Sequence, residues 1–371
     1  MDSSTLFGIS TMAYILAMII YIAYLAFRNS QIGIAATTVT VIGFVSQTGA
    51  ILTRWTESYA QWTMFNTESS FILSVLRSAP LRNLFESLVF FVWCLILGYL
   101  IIEFKYKTRS FGAFITPVAG IALAFIGLSG ISKEISPLVP ALQSNWLLAH
   151  VTMSFIAYAA FAISFSTGLM YLILKTERHS EPSYIFWTIT LGVFIAAFFA
   201  MGIDYLSMGI AIKTPEAFIK GYIFKATFLN ENAVVSIISW LAAIAFIYFV
   251  WRYGHILKNV VGSFSISAEN LEEITYKSIA TGFPVFTLGG LIFGAIWADQ
   301  AWGTYWSWDP KETWSFITWL VYAFFLHSRL LRGWKGKKVA IVAVVGFIIV
   351  IFTYIGVNLI LSGLHSYGSA E

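Results

Sequence analysis

Ten runs of about twenty apolar residues recur along this chain, and that is the length one helix needs to cross the hydrocarbon core of a bilayer. They occupy residues 6–27, 32–52, 84–102, 111–131, 146–174, 185–205, 234–251, 279–298, 310–331 and 339–361. Composition agrees. Of 371 residues 58% are hydrophobic and 11% charged, with mean hydropathy +0.79, whereas roughly a quarter of a soluble domain is charged. The expected fold is an all-α polytopic membrane protein with about ten transmembrane helices, forming one integral-membrane domain over residues 1–371. Pro117 and Pro284 fall inside two runs and are expected to kink their helices, with neighbours satisfying the freed carbonyls.

Most of the 22 lysines and arginines fall in alternate connections, among them Lys105, Lys107, Arg109, Lys175, Arg178, Arg252, Lys258, Arg329 and Lys335. Because basic residues accumulate on the cytoplasmic side, this bias sets both termini outside. The longest outer loops are then 53–83 and 206–233, and the inner stretch 263–277 reads as a short amphipathic surface helix. The first run is long enough to span and has no basic stretch before it, so no cleavable signal peptide is expected. The single cysteine, Cys94, lies inside an apolar run. It excludes an intrachain disulfide, a CxxC redox pair or a thiolate cluster, and reads as a small buried hydrophobe. A net charge of +4, with neither a phosphate-cradling glycine loop nor a basic helix, argues against nucleic acid as a partner.

Within this frame the stretch Trp297 to Trp319 stands apart, holding six of the 14 tryptophans together with Asp299, Tyr305, Asp309, Lys311 and Glu312. It is too polar for hydrocarbon and too aromatic for an ordinary loop. One reading is the aromatic belt that anchors helix ends at the headgroups. The other is a flat aromatic platform for a large planar apolar ligand, which the crowding of rings around Gly303 favours. By the charge rule it faces outside. Asp309-Pro310-Lys311-Glu312 also reads as a helix start, with Asp as N-cap, Pro at the first helical position and Glu closing a capping box. A helix N-terminus there would favour an anionic ligand group.

The five histidines sort by depth. His150, near the start of the fifth run, and His365, just past the tenth, reach the same outer surface as the Trp-rich stretch. Each alone reads as an interfacial residue; together they could hold a haem iron as an axial pair. His327 lies 17 residues beyond Pro310, about 25 Å along a helix, in the inner leaflet. An ionisable residue there is a functional candidate, although nearby Arg329 leaves an interfacial reading open. His179 and His255 fall in charged inner connections and read as solvated.

The segments WGTYWSWDPKETWS at 302–315, TWLVYAFFLHSR at 318–329 and GVNLILSGLHSYG at 356–368 resemble the CcsA (ResC) family of System II cytochrome c maturation. The resemblance extends to HVTMSFIAYAAF at 150–161 and PLRNLFES at 80–87, and the tryptophan signature is similar to that of the wider group with CcmC and CcmF. It implies haem export and covalent attachment of haem to the CxxCH motif of apocytochrome c, in a complex with a CcsB (ResB) partner in the cytoplasmic membrane, the attachment site facing outward. Haem b would be both substrate and bound ligand. His150 and His365 match the external iron ligands, Trp302, Trp306, Trp308 and Asp309, with Trp314, the haem-binding signature, and His327 the ligand of an internal haem whose second ligand comes from the partner. No residue is implied as a nucleophile. The helices over 185–251 depart from the family pattern and read as an inserted pair. Two rival readings are a haem transporter of CcmC type without ligation and a b-type electron-transfer subunit, which would need paired deep histidines.

Overall fold

The computed structural model describes residues 2–65, 70–81, 83–128, 144–211, 227–228, 230, 232–262, 266–357 and 361, and among them no strand occurs. The helices are α1 (Ser3–Phe27), α2 (Ser30–Phe65), α3 (Phe71–Arg77), α4 (Leu84–Tyr106), α5 (Gly112–Leu128), α6 (Asn145–Lys175), α7 (Pro182–Ala211), α8 (Ala233–Gly262), α9 (Ala268–Phe286), α10 (Gly294–Trp302), α11 (Pro310–Leu330) and α12 (Lys337–Ile351). A π segment, Thr287–Phe293, joins α9 to α10, and another, Phe352–Gly356, follows α12.

Seven described stretches are long and apolar enough to cross a membrane: Ser3–Phe27, Ser30–Met64, Phe85–Tyr106, Asn145–Lys175, Ala233–Gly262, Ala268–Trp302 and Lys337–Tyr354. The other three expected runs are also helical, as α5, α7 and α11. In α11 the apolar character is diluted by Lys311, Glu312, His327 and Arg329. The chain is thus an all-α multi-pass membrane protein.

Two expectations about the connections do not hold. Residues 53–65 continue α2 rather than opening a loop, because no glycine or proline interrupts them, and α3 occupies part of the remainder. Residues 268–277 are not a separate surface helix. Ser267 caps them by accepting from Asn270 N–H, and with no glycine or proline before Gly282 they run on as the first turns of the spanning rod 268–302. At 35 residues that rod is about 50 Å long, longer than a hydrocarbon core of about 30 Å, so its polar ends project. Past Pro284, Thr287 N–H bonds to both Phe283 O and Pro284 O, and the π segment begins there.

Helix α6 is the wall shared by two cores. On one side it packs on α4, which joins it to the core that α1, α2, α4 and α5 build around Tyr21, Tyr99, Phe111 and Ile115. On the other it meets α9, α11 and α12 around Phe161, Phe286, Tyr322 and Phe325. Helices α7 and α8 pack chiefly on each other, and α8 presents Ile237, Leu241, Ile244 and Tyr248 outward. The N-terminal core also holds buried polar groups that partner one another. Glu103, 3% exposed, accepts from Thr37 Oγ1 at 2.5 Å and Tyr21 Oη at 3.1 Å, and also from Tyr99. Arg54 Nε pairs with Glu86 Oε1 at 2.9 Å, both buried, and Asn83 caps α4 by accepting from Glu86 N–H.

Removing one member of a buried ion pair strands the other, at a cost of about 3–5 kcal/mol. Arg54→Ala is therefore expected to lower the melting temperature of the detergent-solubilised protein sharply. The double change Arg54→Met with Glu86→Leu, which removes both charges, should recover most of the loss. Equal melting temperatures for wild type and Arg54→Ala would rule out a structural role for the pair.

Candidate functional site

His150 sits in the second turn of α6, whose N-cap Ser144 accepts from Trp146 N–H and donates to Gln300 on α10 at 2.9 Å. The ring reaches the π segment. There Gly294 N–H bonds to Leu291 O, and the Gly289 carbonyl, which an α-helix would aim at Phe293 N–H, lies 2.8 Å from His150 Nδ1. A carbonyl can only accept, so Nδ1 carries the proton and the lone pair of the neutral ring lies on Nε2. Glycines make this approach possible. A Cβ at Gly289 would fall 2.3 Å from Met153 Cβ, and one at Gly294 would fall 2.9 Å from His150 Nδ1. Trp297 stacks beside the imidazole, centroids 6.3 Å apart at 15°, and meets Trp302 edge-on at 4.9 Å.

From α10 the chain turns at Gly303, φ +76°, whose N–H bonds to Asp299 O at 2.8 Å. Residues 303–309 form the loop, so of the six tryptophans only Trp306 and Trp308 lie in it. Trp297 and Trp302 belong to α10, Trp314 and Trp319 to α11. The expectation of a flat platform is corrected accordingly. Trp306 and Trp308 meet edge-on at 86°, and each is also edge-on with Phe316. Trp308 is 67% exposed and holds φ +59°, a left-handed conformation that a bulky residue keeps only when its neighbours impose it. Those neighbours are polar. Thr313 Oγ1 donates to Trp308 O at 3.2 Å, and the buried Glu312 carboxylate accepts from Ser307 N–H at 2.7 Å and Ser307 Oγ at 3.1 Å. Asp309 is the N-cap, accepting from Lys311 N–H at 2.9 Å. The capping box is shifted, since Glu312 reaches back to Ser307 rather than to Asp309. Trp306 Nε1 is buried with no acceptor among the described residues.

A model of the family described as "Cytochrome C assembly protein" matches residues 81–365, which includes all of this region. The chain belongs to that family. It is 34% identical over 362 residues to the cytochrome c biogenesis protein CcsA of Gloeobacter violaceus, covering 96% of this chain and 93% of that protein. It is 40% identical over 291 residues to CcsA of Chlorella vulgaris, covering 78% and 77%.

The other family-matched residues are not all gathered here. Trp314 faces the π segment after α12, its ring 4.3 Å from Phe352, and its carbonyl accepts from Thr353 Oγ1 at 3.2 Å. His327 lies in the last turn of α11, exposed beside Phe324 on the outside of the bundle. Its neighbour Arg329 turns inward to Glu272 and Trp334 O, at the end of α9 remote from the loop. His365 lies outside the described residues. Sequence reasoning passed over Gly289, Gly294 and the buried Trp297 as partners of His150. The Gly289-Gly290 pair inside an apolar run was the available signal, because glycine weakens a helix unless a close approach requires it.

Replacing Asp309 by Ala is expected to cost about 1 kcal/mol of stability, whereas Asn and Ser, which also accept the cap bond, should stay near wild type. Trp308→Gly should leave stability unchanged or raise it, since glycine adopts φ +59° freely. Thermal melting of the four purified variants checks both expectations. A stability loss in Asp309→Asn as large as in Asp309→Ala would remove the cap assignment.

Proposed function

We propose that this protein acts in cytochrome c biogenesis by presenting haem, as substrate, on the outer face of the cytoplasmic membrane for covalent attachment to apocytochrome c. The observation that carries the reading is the setting of His150. Its Nδ1–H is held by a backbone carbonyl, which fixes the tautomer whose Nε2 can bind iron and raises its basicity, as the outer partner of a metal-bound histidine does. The ring stands at the mouth of the Trp-rich loop through Trp297 and Trp302.

In this proposal His150 and His365 are the two axial ligands of haem b, and Trp306, Trp308 and Asp309 of the loop, with Trp302 and Trp314 on the helices either side of it, hold the macrocycle. Exposed Trp308 offers ring area, and the buried indole N–H of Trp306 offers a donor to an acidic group of the ligand. Each haem vinyl group takes up one cysteine thiol of CxxCH. The S–H adds across the C=C bond, sulfur to one carbon and hydrogen to the other, with no leaving group. Positioning therefore replaces an enzyme nucleophile, and the CxxCH histidine takes an axial place.

His150→Ala and His365→Ala are expected to lower co-purified haem and shift it to the oxidised form, with imidazole in the buffer restoring part of the spectrum. Trp308→Gly should lose haem at full membrane abundance. Normal haem spectra and normal cytochrome c assembly in both histidine variants would overturn the axial-pair assignment.

A CcsB (ResB) partner and an internal haem ligated by His327 complete the proposal. Its support is the orientation of His327, which faces out of the bundle beside the exposed Leu320, Phe324 and Leu331 and so can meet a ligand from another chain. Co-expression with a CcsB-like protein is expected to raise haem per chain in wild type and not in His327→Ala. Equal haem content with and without the partner would remove it.

A further inference from the structure

At the end of α6 opposite to His150, residues 176–181 turn back into α7, and His179 in this turn meets His255 near the end of α8. The two rings are 6.2 Å apart between centroids, at 37°. Both are exposed, and no hydrogen bond to either imidazole occurs among the described residues. Aromatic rings flank them. Tyr184 lies 4.5 Å from His179, Trp251 stands edge-on at 6.2 Å, and Tyr253 is 6.4 Å from His255.

The turn is held from three sides. The Glu181 carboxylate accepts from Glu177 N–H at 3.0 Å and Arg178 N–H at 3.1 Å and pairs with Lys337 at 2.6 Å. Lys337, together with these backbone donors, pushes the Glu181 carboxyl down to about 2. Lys258 Nζ donates to Thr176 O at 2.6 Å, and Tyr184 Oη donates to Trp251 O at 2.6 Å. Gly254 permits that last contact, since a Cβ there would lie 2.6 Å from Tyr184 Oη.

We propose that His179 and His255 form a further metalloporphyrin-binding site, distinct from those of His150 and His327 and on the face opposite to His150, gripping the iron through two axial imidazoles. The proposal rests on the reading of this chain as a haem handler and assigns the face at which haem is taken up. Two trans metal–imidazole bonds of about 2.0 Å each, with the half-widths of the rings, need centroids about 6 Å apart, close to the separation found. A bare divalent ion needs about four ligands. Among the described residues no group of three or more His, Cys, Asp and Glu is arranged to hold one. Two imidazoles suit an ion whose four equatorial positions are already filled. Tyr184, Trp251 and Tyr253 supply apolar contact for the plate, while Arg178, Arg252 and Lys258, on the same turn and helix end, supply positive charge for its carboxylates.

The test uses the full-length protein in nanodiscs with the haem it co-purifies, titrated with haemin and, separately, with zinc chloride. Wild type is expected to take up one further haemin as a low-spin bis-imidazole species. His179→Ala and His255→Ala should each weaken that uptake by at least about tenfold while keeping the co-purified haem, which also shows that they fold. His150→Ala should behave in the opposite way. Haemin uptake equal in wild type and both variants would overturn the site. Zinc binding lost in both variants with haemin uptake intact would make it a free-ion site and overturn the porphyrin assignment. Normal co-purified haem in His150→Ala, with added haemin still lost in the other two, would sink the outer-site reading and leave this one standing.

Discussion

The contact on which this structure depends is the close approach of α6 to the rod made by α9, the π segment and α10. Inside a bilayer helices gain little from burying apolar surface against one another, so association relies on close packing through small residues and on interhelical hydrogen bonds. Both occur together here. Gly282 admits Phe161, Gly289 admits Met153 and Gly294 admits His150, while His150 bonds to Gly289 O and Thr167 to Thr275 at 2.7 Å. The π segment is placed where the histidine needs an acceptor. A larger side chain at any of these glycines would separate the two helices and remove the support that orients His150.

The loop after α10 stores strain that its surroundings hold in place. A tryptophan at φ +59° costs of order 1–3 kcal/mol, and the bonds that keep it there come from the first turn of α11: the Asp309 cap, the Glu312 grip on Ser307 and the Thr313 bond to the Trp308 carbonyl. This weighs against the aromatic belt as the whole explanation. A belt tryptophan only has to float at headgroup depth and gains nothing from a forced backbone. Trp314 and Trp319 are different, because their contacts with Phe352 and with Thr287 are helix-to-helix packing. One run of similar letters thus contains packing rings and presented rings.

That mixture explains what could be read in advance. The helices were legible because ten apolar runs of spanning length admit few other folds, and Asp309 was legible as a cap because Asp-Pro before a helix has a local cause. What was not legible depended on partners distant in sequence. Nothing local shows that Glu312 would bond two residues before the cap or that Trp297 would be buried against His150. The two inner histidines failed for the same reason. His179 and His255 are 76 residues apart, each unremarkable alone, and only the return of α8 alongside α7 brings them together.

Helix α6 carries one histidine near its start and leads into another just past its end, with about 38 Å of helix from His150 to Lys175 at 1.5 Å per residue. Between those ends its face toward α11 is closed. On the α11 side Phe161 stacks on Tyr322 at 3.7 Å and 12°, with Phe286, Phe325 and Tyr158 packed around them. A planar macrocycle needs about 3.5 Å of clearance on each face, so it cannot pass where two rings already lie at that distance. A planar cargo moving from one surface to the other would therefore have to skirt this seam between α6 and α11. The exposed side of α11, where His327 stands among apolar side chains, offers an ionisable ligand along such an outer path, and a second chain covering that side would turn it from a lipid-facing surface into a lined passage.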